Sequence, residues 1–472
     1  MSPAGNSIDS SDDPRSTDAA FDWVEDLLGG TIVERRLQAR WRPHWFLTVR
    51  DQRGNDHRVM LRGFRNGGYL GDEVVTRAWL RREAGVLRTL QPTPVKVPRF
   101  FGYHDELDWL LMEWVQGDEL LTDVEDDDRR DDLFREYLDT IVDLHALDVS
   151  RLDLAPDMVA PPTPDLVLQG SLDMAIGLFR TAAPADPEPL LELGIWWAKT
   201  HKPQAPHETR LCGGDVGPNQ FIFDDTGVKS MFDLELAHLG DPYEDLGLMR
   251  MREMCYPIGR LPAHLQYYAE RTGSSLEIDA LRYWTVIGML TGPLWCWERV
   301  QRPDPLLPDQ VPIFSWDPIY RRGLAEALME IYDIALDPPA PLLPVETTRN
   351  RLHELLTGQV RDVYLPAADD PSMTFRLRGT LALSETVELG NTIGAQLERD
   401  DIDDLGELLG HRPMTRREGL AAVEVLVRAD PERDIERRLR CFHRMQVRHE
   451  FLFAPIQASM GFASNEPLAR LQ

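Results

Sequence analysis

Eight carboxylates fall within Leu211–Gly247, "LCGGDVGPNQFIFDDTGVKSMFDLELAHLGDPYEDLG", among glycines, short apolar runs and two prolines. Asp215 precedes a Val-Gly-Pro bend and the apolar "FIF" follows Gln220, so Asp215 and Gln220 stand at the two ends of one tight loop. The turn "DDTG" then joins "FIF" to "KSMF" as a hairpin, which brings Asp233 back towards that loop. Two carboxylates and an amide oxygen converging on one point suit Mg²⁺, with the phosphates of a nucleotide completing its shell. That is the chemistry of phosphoryl transfer: one carboxylate orients the attacking hydroxyl, while the other groups hold a metal that neutralises phosphate charge.

Such groups need a scaffold on both sides of the nucleotide. From Thr31 to Gly117 the segments "TIVERRLQARWRPHWFLTVRD", "HRVMLRG" and "VPRFFGYHDELDWLLMEWVQG" carry strand spacing, with the helical "EVVTRAWLRREAGVLRTL" before the last. A small strand-rich lobe over 19–117 follows, preceded by a tail, 1–18, of disordered composition and a docking helix in "AAFDWVEDLL". After the solvated run "DVEDDDRRDD", helical spacing begins at "LFREYLDTIVDLHALDV" and dominates a larger lobe over 118–337. The prolines of "DPPAPLLP" break the helices at Asp337–Pro344, and a further helical domain is expected over 345–472.

At 472 residues, 43% hydrophobic and 28% charged, the chain is long and apolar enough to build these cores. Its formal net charge of -28 opposes binding to a phosphate backbone or an anionic membrane, so neither nucleic acid nor membrane is an expected partner. Cys212, Cys255, Cys296 and Cys441 are widely spaced, which argues against a disulfide framework or a thiolate metal site. With no apolar leader and no apolar run of membrane-spanning length, the reading is cytoplasmic. In "CFHRMQVRHE", His443 and His449 fall on different faces of a helix, so a solvated face is expected there rather than a metal site.

The acidic stretch resembles the aminoglycoside phosphotransferase and choline kinase-like family, relatives of the protein kinases. Its catalytic pattern H-G-D-x-x-x-x-N corresponds to "GGDVGPNQ" here, and its metal segment D-x-x-x-x-x-x-G-D-P-x-x-D-L matches "DLELAHLGDPYEDL" throughout. The resemblance implies an α+β, protein-kinase-like bilobal fold with an additional C-terminal α-helical domain, and an ATP- and Mg²⁺-dependent kinase acting on a hydroxyl of a small molecule. It assigns Asp215 to the acceptor hydroxyl, Asp233 and Gln220 to the metal, and Asp241 and Asp245 to bracing. In the small lobe, "VMLRG" resembles the strand whose basic residue holds the nucleotide phosphates, here Arg62, with Glu83 orienting it. "LLMEWVQG" resembles the hinge, with backbone groups of Glu113 and Val115 offered to adenine. The strand and metal segment are nearest the branch associated with acyl-CoA dehydrogenases, and the acceptor implied is a hydroxyacyl-CoA or an aminoglycoside-like compound or sugar alcohol.

Three positions depart from the pattern: Gly213 replaces the histidine, Gln220 replaces the asparagine, and "QARWRPHWF" stands where small residues should let backbone amides approach phosphates. Either Arg40 and Arg42 supply charged donors there, or the nucleotide pocket is occluded. A pseudokinase acting as a scaffold is the alternative reading. Trp295 and Trp297 are candidates for an acceptor pocket, and the C-terminal helices are candidates for a homodimer interface.

Overall fold

Trp45, Leu47 and Val49 alternate with His44, Phe46 and Thr48, and Val59 and Leu61 alternate with Met60 and Arg62. This is the period-two pattern of strands covered on both faces. The computed structural model describes residues 14–40, 42–63, 73–154, 158, 170–182, 186–203, 207–307, 310–345, 349–463 and 466–471. In it, β1 (Gly30–Ala39), β2 (Pro43–Asp51), β3 (Asp56–Gly63), β4 (Phe100–His104) and β5 (Trp109–Glu113) form an antiparallel sheet in the order β1-β2-β3-β5-β4. Helix α1 (Pro14–Leu28) buries Phe21 and Val24 with Leu47, Val49, Val59, Leu61 and Leu111 on one face. Helix α2 (Glu73–Leu90) contributes Leu80 and Leu87 to the core on the other face, with Leu110 and Met112. Arg62 pairs in register with His44 and Leu110, so alternation turns its side chain to that second face, towards α2. Helix α1 begins at Pro14, inside the tail expected over 1–18; residues 1–13 and Trp41 lie outside the described residues.

Beyond Gly117 the chain is mostly helical. Asp126 caps α3 (Asp127–His145) by accepting from the amides of Asp128 and Arg129. Then follow α4 (Gly170–Thr181) and α5 (Pro189–Thr200), and four short strands: β6 (Arg210–Cys212), β7 (Phe221–Asp224), β8 (Gly227–Met231) and β9 (His238–Gly240). These pair as two ribbons, β6 with β9 and β7 with β8, and so hold the acidic stretch between them. Helices α6 (Pro242–Cys255), α7 (Leu261–Thr272), α8 (Ile278–Gln301) and α9 (Gln310–Ile331) complete this lobe. The fold is the protein-kinase-like bilobal one, with extra C-terminal helices.

Those helices are α10 (Asn350–Gly358), α11 (Pro371–Leu409), α12 (Arg416–Ala429), α13 (Ile435–Leu452) and the short α14 (Ala454–Ser459). The helical break at Asp337–Pro344 is present, yet the apolar core runs across it. Leu405, Leu420, Val423, Leu439, Phe442 and Met445 belong to the same buried cluster as Leu281, Leu324 and Leu328. Buried arginines bridge it as well: Arg322 of α9, paired with Glu326, also pairs with Glu450 of α13, while Arg250 of α6, paired with Glu330, donates to the carbonyl of Ala469.

Candidate active site

The loop Gly213–Gln220 leaves β6 and enters β7, and its shape is held from beneath. Asp245, in the first turn of α6, accepts from the amides of Gly213 at 2.7 Å and Gly214 at 3.0 Å. Its other support is His145 at the end of α3, 3.0 Å away, which meets the Tyr268 hydroxyl at 2.7 Å. Burial alone would raise the Asp245 carboxyl, but His145 and the two loop amides hold it below the ordinary carboxylate range. Gly214 has φ +81°, and a Cβ there would meet the carbonyl oxygen of Leu236 at 2.1 Å, so only glycine fits. Asp241 caps α6 in a capping box with Glu244.

Asp215 is half-buried at the loop's start. Arg252, two turns along α6 from Asp245, donates to its Oδ1 at 2.8 Å and to the Pro218 carbonyl at 3.0 Å. Burial raises the Asp215 pKa, with Arg252 pulling against it. Gln220 is buried and turns its amide nitrogen onto Asp215 Oδ2.

Asp233 follows β8 in left-handed conformation, φ +64°. From the sheet, Arg62 donates to Asp233 Oδ1 at 2.5 Å, bonds Glu83 of α2 through its other terminal nitrogen, and donates through Nε to His44 at 3.2 Å. Arg42, at the start of β2, bonds Glu235 and lies 3.2 Å from Asp233 Oδ1. Burial would raise Asp233, yet the guanidiniums of Arg62 and Arg42 hold it well below the usual range. Glu83, enclosed between the same groups, is pushed up to about 7 by burial, against the pull of Arg62 and Arg42. His44 is held neutral by burial and by Arg62, so it accepts rather than donates.

The sequence-derived residues therefore fall into three places. Arg62, Glu83 and Asp233 meet directly, and Asp215 and Gln220 meet each other; Asp215, Gln220 and Asp233 all line one cavity of about 1320 Å³. Glu113 and Val115 stand apart from it at the end of β5. Glu113 is tied to Arg99 by its amide and its carboxylate, and the ring of neighbouring Trp114 lies tilted 4.8 Å from Phe46, with Arg36 over Phe46. Trp295 lines the cavity, whereas Trp297 is core, edge-on to Phe179.

The sequence pattern of the phosphotransferase enzyme family matches residues 51–283, which contain Arg62, Glu83, Asp215 and Asp233. Over this stretch, a little under half of its length, the chain is similar to that family. It is a small-molecule kinase, and the acceptor is not fixed by that similarity. No curated protein matches the sequence. Among solved structures, a candidate aminoglycoside phosphotransferase from Ralstonia eutropha JMP134 is similar over 66% of this chain and 98% of that one, at 17% identity and TM-score 0.50. A macrolide 2'-phosphotransferase from Brachybacterium faecium is similar over 61% of this chain and 99% of that one, at 20% identity and TM-score 0.44. At such identities the likeness concerns fold alone.

Against the phosphotransferase pattern, the structure accounts for Gly213. A Cβ there would meet Val216 Cγ1 at 2.5 Å, which leaves no room for the histidine, and the loop is held through Asp245 and His145 instead. Two residues escaped sequence reasoning. His145 gives no local signal, being far from the loop in sequence. Arg252 does give one: seven residues after Asp245 on a helix, it shares that residue's face.

Proposed function

We propose that this kinase transfers the γ-phosphate of ATP, with Mg²⁺, to a hydroxyl of a small molecule held beside Asp215. The observation that carries this reading is the meeting of Arg62 and Glu83 from the sheet lobe with Asp233 from the helical lobe, at a cavity that Asp215 also lines. Arg62, aimed by Glu83, is the cation for the nucleotide phosphates. Asp215 accepts the hydrogen bond of the acceptor hydroxyl, and Arg252 fixes the carboxylate that does so. Glu113 and Val115 are the proposed adenine contacts, through their backbone.

The donor chemistry fits Mg²⁺. Asp233 and Glu235 offer hard carboxylate oxygens, and Asn219 Oδ1, in the same cavity lining, is buried without a hydrogen-bond partner among the described residues. Gln220, assigned to the metal by resemblance, would have to turn its amide oxygen towards Asp233. Arg42 now pairs with both carboxylates and Arg62 with Asp233 Oδ1, so both guanidiniums must give way there. When bound, the metal would neutralise charge on the transferring phosphate.

The tail 1–18, the lobes 19–117 and 118–337 and the C-terminal region 345–472 are proposed as the working parts. The cysteines, all buried and none in a disulfide, favour a reducing, cytoplasmic setting. Exposed Leu352, Leu355, Leu356, Val363 and Tyr364 favour a homodimer through the C-terminal helices, which the mass in solution would test.

The primary test is thermal stability with ATP, with and without Mg²⁺, together with a transfer assay. ATP at about 100 times its dissociation constant should add roughly 2.7 kcal/mol. The Mg²⁺-dependent part should vanish in Asp233→Ala, and Asp215→Asn should keep the shift while losing transfer. No Mg²⁺-dependent shift at millimolar ATP would sink the reading.

A further inference from the structure

The cavity beside Asp215 is closed on its far side by the C-terminal helices. Phe375, Gly379 and Leu383, spaced four residues apart on one face of α11, line it together with Arg376 and Arg378. The same lining includes Trp295, Phe314, Trp316 and Tyr320 of α8 and α9. Sequence-matched residues end at 283, so both walls lie outside the stretch that defines the family.

Charge on these walls is distributed unevenly. The acidic groups of the cavity are mostly committed: Asp215 to Arg252, Asp233 and Glu235 to Arg42, Glu244 to His238 and Asp317 to Arg321. Glu119, at the opposite rim, is exposed and makes no ion pair among the described residues. Arg376 and Arg378 likewise pair with no carboxylate among the described residues; Arg376 reaches only the carbonyl of Leu306, at 3.4 Å. In a chain of net charge -28, two such arginines on the wall of an aromatic cavity form a local field opposite to that of the whole molecule.

We propose that α11 is the acceptor-reading wall, and that the acceptor is a hydroxyl compound with an apolar body and an anionic group, seated against Phe375 and Leu383 with its anion at Arg376 or Arg378, which flank that stripe on either side. A polycationic acceptor would meet two arginines and one free carboxylate, a poor match in sign. An apolar body gains from the aromatic lining, and an anion gains charge-assisted hydrogen bonds from the guanidiniums. The inference deepens the kinase reading and rests on it for the position of the reacting hydroxyl.

The test uses the full chain and calorimetric binding of ω-hydroxylaurate, its methyl ester and an aminoglycoside, followed by transfer assays with Mg²⁺ and ATP. The carboxylate should bind about tenfold more tightly than the ester, and the difference should collapse in the Arg376→Gln/Arg378→Gln double variant. That variant touches surface side chains and should keep the parent melting temperature. A Leu383→Asp variant should weaken carboxylate and ester alike. Equal binding of carboxylate and ester, tightest binding of the aminoglycoside, or failure of all three to bind would overturn the proposal. Transfer to the aminoglycoside alone would overturn it while leaving the kinase reading intact. Arginine-dependent binding of the carboxylate without phosphorylation would support the wall and count against the kinase reading.

Discussion

Under the proposed reading, Arg42 bears on the metal and Arg252 on Asp215. Arg42 neutralises the carboxylates proposed for the metal, so its guanidinium and the divalent cation compete for the same oxygens. Arg42→Gln should therefore bind Mg²⁺-ATP several-fold more tightly, read as a lower Kd in calorimetry; an unchanged Kd would mean that Arg42 is not in the metal's way. Arg252 opposes the upward pull of burial on Asp215. Its removal leaves burial unopposed, so the Asp215 pKa should rise and the acidic limb of kcat/KM should move to higher pH in Arg252→Met. We expect kcat to fall on the order of 10²-fold, with partial recovery in Arg252→Lys. A profile that keeps its acidic limb in place would show that Arg252 only supports the loop.

Among the elements, α6 does several tasks at once. Asp241 caps it, its first turn carries Asp245, and its last carries Arg252 and Glu253. Glu253 is buried and accepts from the Gly259 amide at 3.2 Å, and burial pushes its pKa up to about 7. An acid whose folded pKa lies above its unfolded value, about 4.3, stabilises the fold as the neutral form. That contribution is complete below the unfolded pKa and is lost as pH rises through about 7. Glu253→Gln should flatten the stability profile between these limits, gaining on the order of 3 kcal/mol relative to wild type at pH about 8. Denaturant unfolding at acidic and at mildly alkaline pH checks this, and a parallel profile for the two proteins would refute it.

Across the whole molecule, the C-terminal helices and the helical lobe share a core and bury Arg322 against Glu450. Two consequences follow from treating them as one unit. A 1–340 truncation would expose the apolar partners of Leu439 and Phe442, and it should be recovered as aggregate rather than as a monodisperse kinase. Arg322→Met removes the buried cation that pairs with both Glu326 and Glu450 and should cost about 3–5 kcal/mol in chemical unfolding. A monodisperse, ATP-binding 1–340 fragment would show instead that the catalytic lobes fold alone.

The sequence by itself determined the small lobe and the loop from Gly213 to Gln220, because strand alternation and the Val-Gly-Pro bend are local and leave few conformations open. Asp245's hold on the loop was expected from the family resemblance, and Arg252 lay within reach of a helical count. Tertiary structure alone decided the rest. Whether Arg42 lends its charge to phosphates or covers the carboxylates depends on how the sheet closes over a loop some 190 residues later, and no local pattern encodes that distance. The same holds for His145 under Asp245, and for α11 as a wall of the cavity. Each is a contact between surfaces brought together only by folding, where charge and shape act through space rather than along the chain.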